Sequence, residues 1–226
     1  MTASTTTSER EGAPADARPG PGDVLNAAGL MVYEGERVDM GTLAARVGVG
    51  RATLYRWFGS REQLIEQLLE RFALAFLERA RDEAKDDGEA RVLDIARRLM
   101  EATVEFEPAR RFVAREPQLA LRLLLGAGGA VHRTMARALR EALIEVHGER
   151  RTAALEESID GMVQVATALQ WATFAIGDEP RIEQAIELMR LMLAAAGAAG
   201  AEVAAGTTAV AGAAGTTRAA AGDDRA

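Results

Sequence analysis

The stretch Val38–Leu64, VDMGTLAARVGVGRATLYRWFGSREQL, decides the fold of this chain. Asp39 carries a helix N-cap side chain, and Leu43, Ala44 and Val47 follow it at helical spacing, so a first helix is predicted from about Met40 to Val47. Gly48 supplies the left-handed residue that ends it, with Val49 packed under the turn. A second helix starts near Gly50 or Arg51 and ends at Gly59. Leu54 and Phe58, four apart, form its buried side and leave Ala52, Thr53, Tyr55 and Arg56 on the flank and the outside. Ser60 and Gln63 form an S-x-x-Q capping box that opens a third helix.

Charge sharpens this reading. Four arginines (46, 51, 56 and 61) and no acidic residue lie between Gly41 and Arg61, in a chain whose formal net charge is -7. A locally basic helix-turn-helix can lay its second helix in the major groove of duplex DNA while flanking groups hold phosphates. The same spacing also suits an ordinary helical hairpin with solvated arginines.

The run Ala44–Phe58 followed by Ser60-Arg61-Glu62-Gln63-Leu64 resembles the DNA-binding signature of the tetracycline-repressor family, a likeness that covers residues 22–70. The alanine, glycine-valine, threonine-leucine-tyrosine, aromatic, basic and leucine positions all fall in register. Gly50, where the family usually has a serine N-cap, and Gly41 depart from the pattern. The resemblance implies that Arg51, Ala52 and Thr53 occupy base-reading positions; Tyr55, Arg56, Arg61 and Thr42 are expected to hold phosphates.

The 226 residues suit one domain or two small ones, and 48% apolar but only 4% aromatic residues suit a core of aliphatic helices. No cysteine is present, which excludes disulfides, thiol catalysis and cysteine metal sites. Residues 1–21 and 198–226, rich in Ala, Gly, Thr, Ser and Pro, are expected to be disordered tails. The first of them has no apolar run of the kind a secretory signal needs, so a cytoplasmic protein is expected.

Between the tails, Asp23–Glu34 is a first helix with Val24, Leu25, Ala28, Met31 and Val32 inward. It completes a helix-turn-helix domain, residues 22–66, with its own small core. Residues 67–197 are expected to form a helical regulatory and dimerisation domain. A long helix from Ser60 to about Lys85, striped by Leu64, Leu68, Phe72, Phe76 and Ala80, connects the two. Two Glu-Pro pairs, at 107–108 and 116–117, bracket a short helical segment.

Gly161–Gly177 carries no charge, but it is shorter than a membrane span and holds Gln164, Thr167, Gln170 and Thr173, so a helix buried in a bundle is expected and no membrane partner. With a second apolar helix over 181–196 it offers a self-pairing seam. A homodimer that presents two recognition helices about 34 Å apart is expected, broken by charge at Met189 or Leu193.

Enzyme chemistry has little footing. His132 and His147 lack metal-ligand spacing, and no phosphate loop or nucleophile elbow occurs, so neither metal nor cofactor is expected. Phe112, His132, Met135, Gln170, Trp171 and Phe174 are instead candidates for the wall of an apolar small-molecule pocket, although such residues also build ordinary cores. The runs Arg115–Arg122, Gly129–His132 and Ile176–Pro180 resemble the ligand domain of one actinobacterial subgroup of the same family, whose named member regulates degradation of quorum-sensing lactones. The reading is therefore an all-α protein: an N-terminal three-helix helix-turn-helix domain followed by a C-terminal helical-bundle ligand-binding and dimerisation domain. Its expected partners are double-stranded operator DNA, a second copy of itself and a small amphiphilic, lactone-like effector that releases it. The alternative is a dimeric interaction protein acting on a protein partner with little specific DNA binding.

Overall fold

The computed structural model describes residues 18–195, all helix and connecting turns with no strand among them. The tails expected at 1–21 and 198–226 lie outside the described residues except for 18–21, where helix already begins. In order, the helices are α1 (Pro21–Tyr33), α2 (Met40–Val47), α3 (Arg51–Phe58), α4 (Arg61–Glu83), α5 (Gly88–Glu105), α6 (Glu107–Arg115), α7 (Pro117–Leu125), α8 (Ala130–His147), α9 (Glu149–Ala153) and α10 (Glu156–Thr167). α10 runs on through a π-helical turn, Ala168–Ala172, into Thr173–Ala175, and a closing helix spans 182–195.

Local chemistry accounts for most boundaries. The α1 helix starts two residues before Asp23 because Pro21 fits a first turn, and Asp23 reaches back to accept the Gly20 amide at 2.8 Å. Asp39 caps α2 by accepting the Gly41 and Thr42 amides, both at 2.9 Å. The Thr42 amide bond is the main reason its carboxyl sits below the usual carboxylate range. Gly48 ends α2 at φ 74°, a left-handed value. The capping box expected at α4 is half made. Ser60 Oγ accepts the Gln63 amide at 3.1 Å, but the Ser60 amide bonds the Phe58 carbonyl instead, as the tight Gly59 turn dictates. Pro108 and Pro117 both sit in first turns, so each Glu-Pro pair opens a helix.

α4 organises the packing. Its first half (Leu64, Ile65, Leu68) joins Val24, Met31, Leu43, Leu54 and Phe58 in the core of the N-terminal head, α1–α3. That core is not sealed: Leu119 and Leu123 of α7 belong to it, so the head does not have the private core expected for it. Its second half packs on α5 and α8. There the buried stripe moves to Ala73, Leu77 and Ala80, which turns Phe72 and Phe76 toward a cavity rather than into a closed core.

The second core gathers Val92, Met100, Leu139, Leu143, Ile159, Met162, Met189 and Leu193. Met189 is 5% and Leu193 2% exposed, so both face this subunit's own core. They are therefore not the seam expected of them. From α10 to residue 195, the large apolar side chains left outward are Val165 (38% exposed), Ile176 (76%) and Leu191 (49%). α9 and the first turns of α10, with Leu155 and Ile159 buried, lie outside every helix expected from sequence. No helix among the described residues is long and apolar enough to cross a membrane.

Candidate nucleic-acid interface and receptor cavity

α3 presents its outer face to solvent while Leu54 (0% exposed) and Phe58 (3%) clamp its inner face to the head. Arg51, Ala52, Tyr55 and Arg56 are exposed and Thr53 is half-buried, on one short rigid helix. Thr42, exposed at the start of α2, donates its hydroxyl to Asp39 at 3.2 Å. Arg51 folds back over the start of α2. A Cβ at position 41 would lie 3.5 Å from its Cζ and 3.1 Å from Asp39 Oδ1, which gives Gly41 a local reason. A Cβ at position 50 would meet only Thr53 Oγ1 at 3.8 Å, and nothing in the structure explains Gly50.

Two of the four arginines counted toward DNA are used inside the protein. Arg46 bonds Glu34 at 3.0 Å and Glu36 at 2.7 Å. Arg61 departs from its expected phosphate role more fully. Its guanidinium grips Glu116 at 2.9 and 2.6 Å, and its Nε donates to the Val38 carbonyl at 2.6 Å. The pair is largely out of water, with side-chain exposures of 21% and 18%. Arg61 thus bolts the head to the α6–α7 turn. Neither Arg51 nor Arg56 forms an ion pair with any described residue, so the free positive charge of the head lies on the outer face of α3.

The same joint carries further cross-links. Arg115 donates to the Gly35 carbonyl at 2.5 Å, Arg111 to the Tyr33 carbonyl at 3.2 Å, and Arg122 pairs with Glu62 at 2.7 Å. Arg37 approaches Glu116 at 3.6 Å. The Arg61 hydrogen bonds, then the Arg61 and Arg37 charges, hold the Glu116 carboxyl below the ordinary carboxylate range against the opposing effect of burial.

Behind the joint lies a cavity of about 1140 Å³ including its mouth, walled by α4, α5, α8 and α10. Phe72, Phe76, Leu99, Phe106, Met135 and Trp171 supply much of its apolar surface, and Thr103, Thr167 and Gln170 its uncharged polar groups. Among the described residues Arg81 is the one titratable lining residue, and it approaches Glu141 at 3.7 Å. The N-terminus of α8 is tied to α4, with Glu66 accepting the Ala130 amide at 2.7 Å and Glu70 the Thr134 hydroxyl at 2.5 Å.

Of the six pocket residues expected from sequence, Met135, Gln170 and Trp171 line this cavity and three do not. Phe112 packs between the head core and a small cluster with Val113, Ala120 and Leu124. Phe174 stacks edge-on to Trp171 at 6.2 Å and carries Arg110 over its ring at 5.3 Å. His132, 8% exposed, points its Nε2 to Asp160 at 3.3 Å. Sequence reasoning missed Phe72, Phe76 and Thr103, whose helical spacing is that of a plain core stripe. A chain of edge-to-face rings leads out of the cavity to the head: Phe76 to Phe106 at 5.3 Å, then Phe106 to Tyr33 of α1 at 5.1 Å.

Two family profiles match the chain. Residues 34–68 match the profile described as bacterial regulatory proteins, tetR family, and residues 87–194 match that of the tetracyclin repressor-like C-terminal domain. No curated protein matches the chain. The structure of the R. erythropolis transcriptional repressor QsdR from the TetR family is similar over 77% of this chain and 94% of that one, at 25% identity and a TM-score of 0.70. The TetR family repressor AlkX from Dietzia sp. strain DQ12-45-1b, implicated in biodegradation of n-alkanes, shares the fold over 80% of this chain and 97% of that one, at 18% identity and a TM-score of 0.57. With its reading head and its regulatory helices matched separately in this way, the chain belongs to the tetR family of bacterial regulatory proteins.

Proposed function

We propose that this protein is a dimeric transcription repressor that leaves its operator when a small apolar effector fills the cavity. The observation that carries the reading is α4: its first half belongs to the core of the DNA-reading head and its second half is a wall of the cavity. A ligand that displaces Phe72 or Phe76 acts on the helix that orients α3.

On DNA, Arg51, Ala52 and Thr53 reach base edges while Tyr55, Arg56 and Thr42 hold backbone phosphates. Val165, Ile176 and Leu191 form the two-fold seam, which sets two copies of α3 at the spacing of successive major grooves. The effector shifts the equilibrium only if it prefers the conformer with wrongly spaced heads. Coupling of ~1–3 kcal/mol weakens DNA binding about 5- to 150-fold, and operator DNA weakens effector binding by the same factor.

The test is selection of bound sequences from random duplexes, followed by titration of the winning site with and without effector. A defined, salt-sensitive motif is expected. No enrichment over scrambled DNA would refute the reading and favour a protein partner instead; enrichment with equal effector affinity on and off DNA would refute release.

A further inference from the structure

We propose that the cavity selects an uncharged, mainly aliphatic ligand bearing one hydrogen-bond donor, a hydroxyl or N–H group, which it receives on the side-chain carbonyl of Gln170. This rests on the reading of the cavity as the effector site and specifies its chemistry.

Gln170 is 6% exposed and lies in the π-helical turn of α10, where it and its neighbour Trp171 (5%) are both buried against the cavity. A π turn advances less than the 100° per residue of an α-helix, so consecutive side chains diverge less than they would there. The Leu169 carbonyl in this turn accepts the Thr173 hydroxyl at 2.8 Å and the Arg181 amide at 3.0 Å.

The amide of Gln170 is oriented without ambiguity. Its Nε2 donates to the Met100 carbonyl at 3.2 Å and to Thr103 Oγ1 at 2.5 Å, and a backbone carbonyl can only accept, so the nitrogen must be the atom on that side. Both amide hydrogens are then used. The Thr103 hydroxyl hydrogen is used as well, shared between the Leu99 carbonyl at 2.9 Å and the Met100 carbonyl at 3.0 Å.

Gln170 Oε1 has no hydrogen-bond partner among the described residues. Nor is it sealed from solvent: the sealed, unpartnered side-chain atoms there are Arg97 Nε and Arg111 Nε. Thr167, which also lines the cavity, gives its hydroxyl hydrogen to the Val163 carbonyl at 2.8 Å, so the uncharged polar groups of the cavity have their donors used and what they leave open is acceptor capacity, with Gln170 Oε1 wholly unpaired. A donor-bearing ligand satisfies it. An ester or ketone would set oxygen against oxygen, and an anion would leave water with only Arg81, already beside Glu141, to receive it.

The experiment follows Trp171 fluorescence in the full chain carrying Trp57→Phe, and titrates 1-decanol, methyl nonanoate and decanoate at pH 8, with operator binding measured in parallel. Decanol is expected to bind about 10-fold more tightly than the ester, the size of one net hydrogen bond, with the carboxylate weakest. In Gln170→Met the alcohol and ester should come within about 3-fold of each other. Equal or stronger binding of the ester by the Gln170 protein would overturn the inference while leaving the cavity an effector site, and this arm does not depend on the variant folding. A preference that survives in Gln170→Met would also overturn it. If none of the three binds, the effector reading of the cavity falls and the inference with it. If decanol binds selectively yet leaves operator affinity unchanged, the ligand chemistry stands and allosteric release fails.

Discussion

Replacing Glu116 by glutamine tests the joint between the two functional halves. Glu116 accepts from both terminal guanidinium nitrogens of Arg61, at 2.6 and 2.9 Å, with each side chain only about one-fifth exposed. The substituted amide could accept one of these bonds and would remove the charge that balances Arg61 and Arg37. A hydrogen bond to a charged group contributes about 1.5–3 kcal/mol, and breaking a fully buried pair costs about 3–5 kcal/mol. Partial exposure and the surviving Arg61–Val38 bond place this loss lower, at ~2 kcal/mol, or about 4–8 °C in melting temperature for a protein of this size.

A double-mutant cycle with Arg61→Met isolates the pair by denaturant unfolding; a coupling of ~1 kcal/mol or more is expected. The sign with pH is also set. The carboxyl is held below its ordinary value of 4.5, so its contribution is complete above that value and is lost as pH falls through the lowered one. The gap between the native protein and Glu116→Gln should be constant from neutral pH down to about 5 and close only in stronger acid. A coupling energy of zero, or a gap that closes near neutral pH, would refute the argument.

Three further outcomes are expected. Arg51→Ala should relax sequence preference at one operator position at a cost of ~1–3 kcal/mol, whereas Arg56→Ala should weaken all sequences alike and lower the salt slope by about one, both read by binding assays at several salt concentrations. Leu191→Lys should give folded monomers with weak operator binding by light scattering and gel shift; Met189→Lys, buried at 5% exposure, should instead unfold the regulatory helices, and reversed results would move the seam. Asp39→Ala removes the cap that accepts the Gly41 and Thr42 amides and should lower stability by about 1 kcal/mol in a thermal melt, with DNA binding falling in proportion as α2 frays.

Most of the helices, and the family, are legible in the residues alone; α9 and the first turns of α10 are not. Asp39, Gly48, Leu54 with Phe58, and the two Glu-Pro pairs act on backbone within a few residues of themselves, so their consequences are readable in order along the chain. Which side chains meet is a matter of how the helices pack. Arg61 looks like one more cation of a basic head until the fold brings Glu116, 55 positions later in the chain, against it. Phe72 and Phe76 carry the same spacing as core residues, and only the way α5, α8 and α10 are set around α4 leaves space in front of them. Met189 and Leu193 are apolar at helical intervals whether they face their own subunit or another. Periodicity reports that a face is buried and says nothing of what buries it, because hydrophobic burial is non-directional. Ion pairs between distant residues, the floor of a cavity and the choice between core and seam depend on the packing of whole helices, and no local signal encodes them.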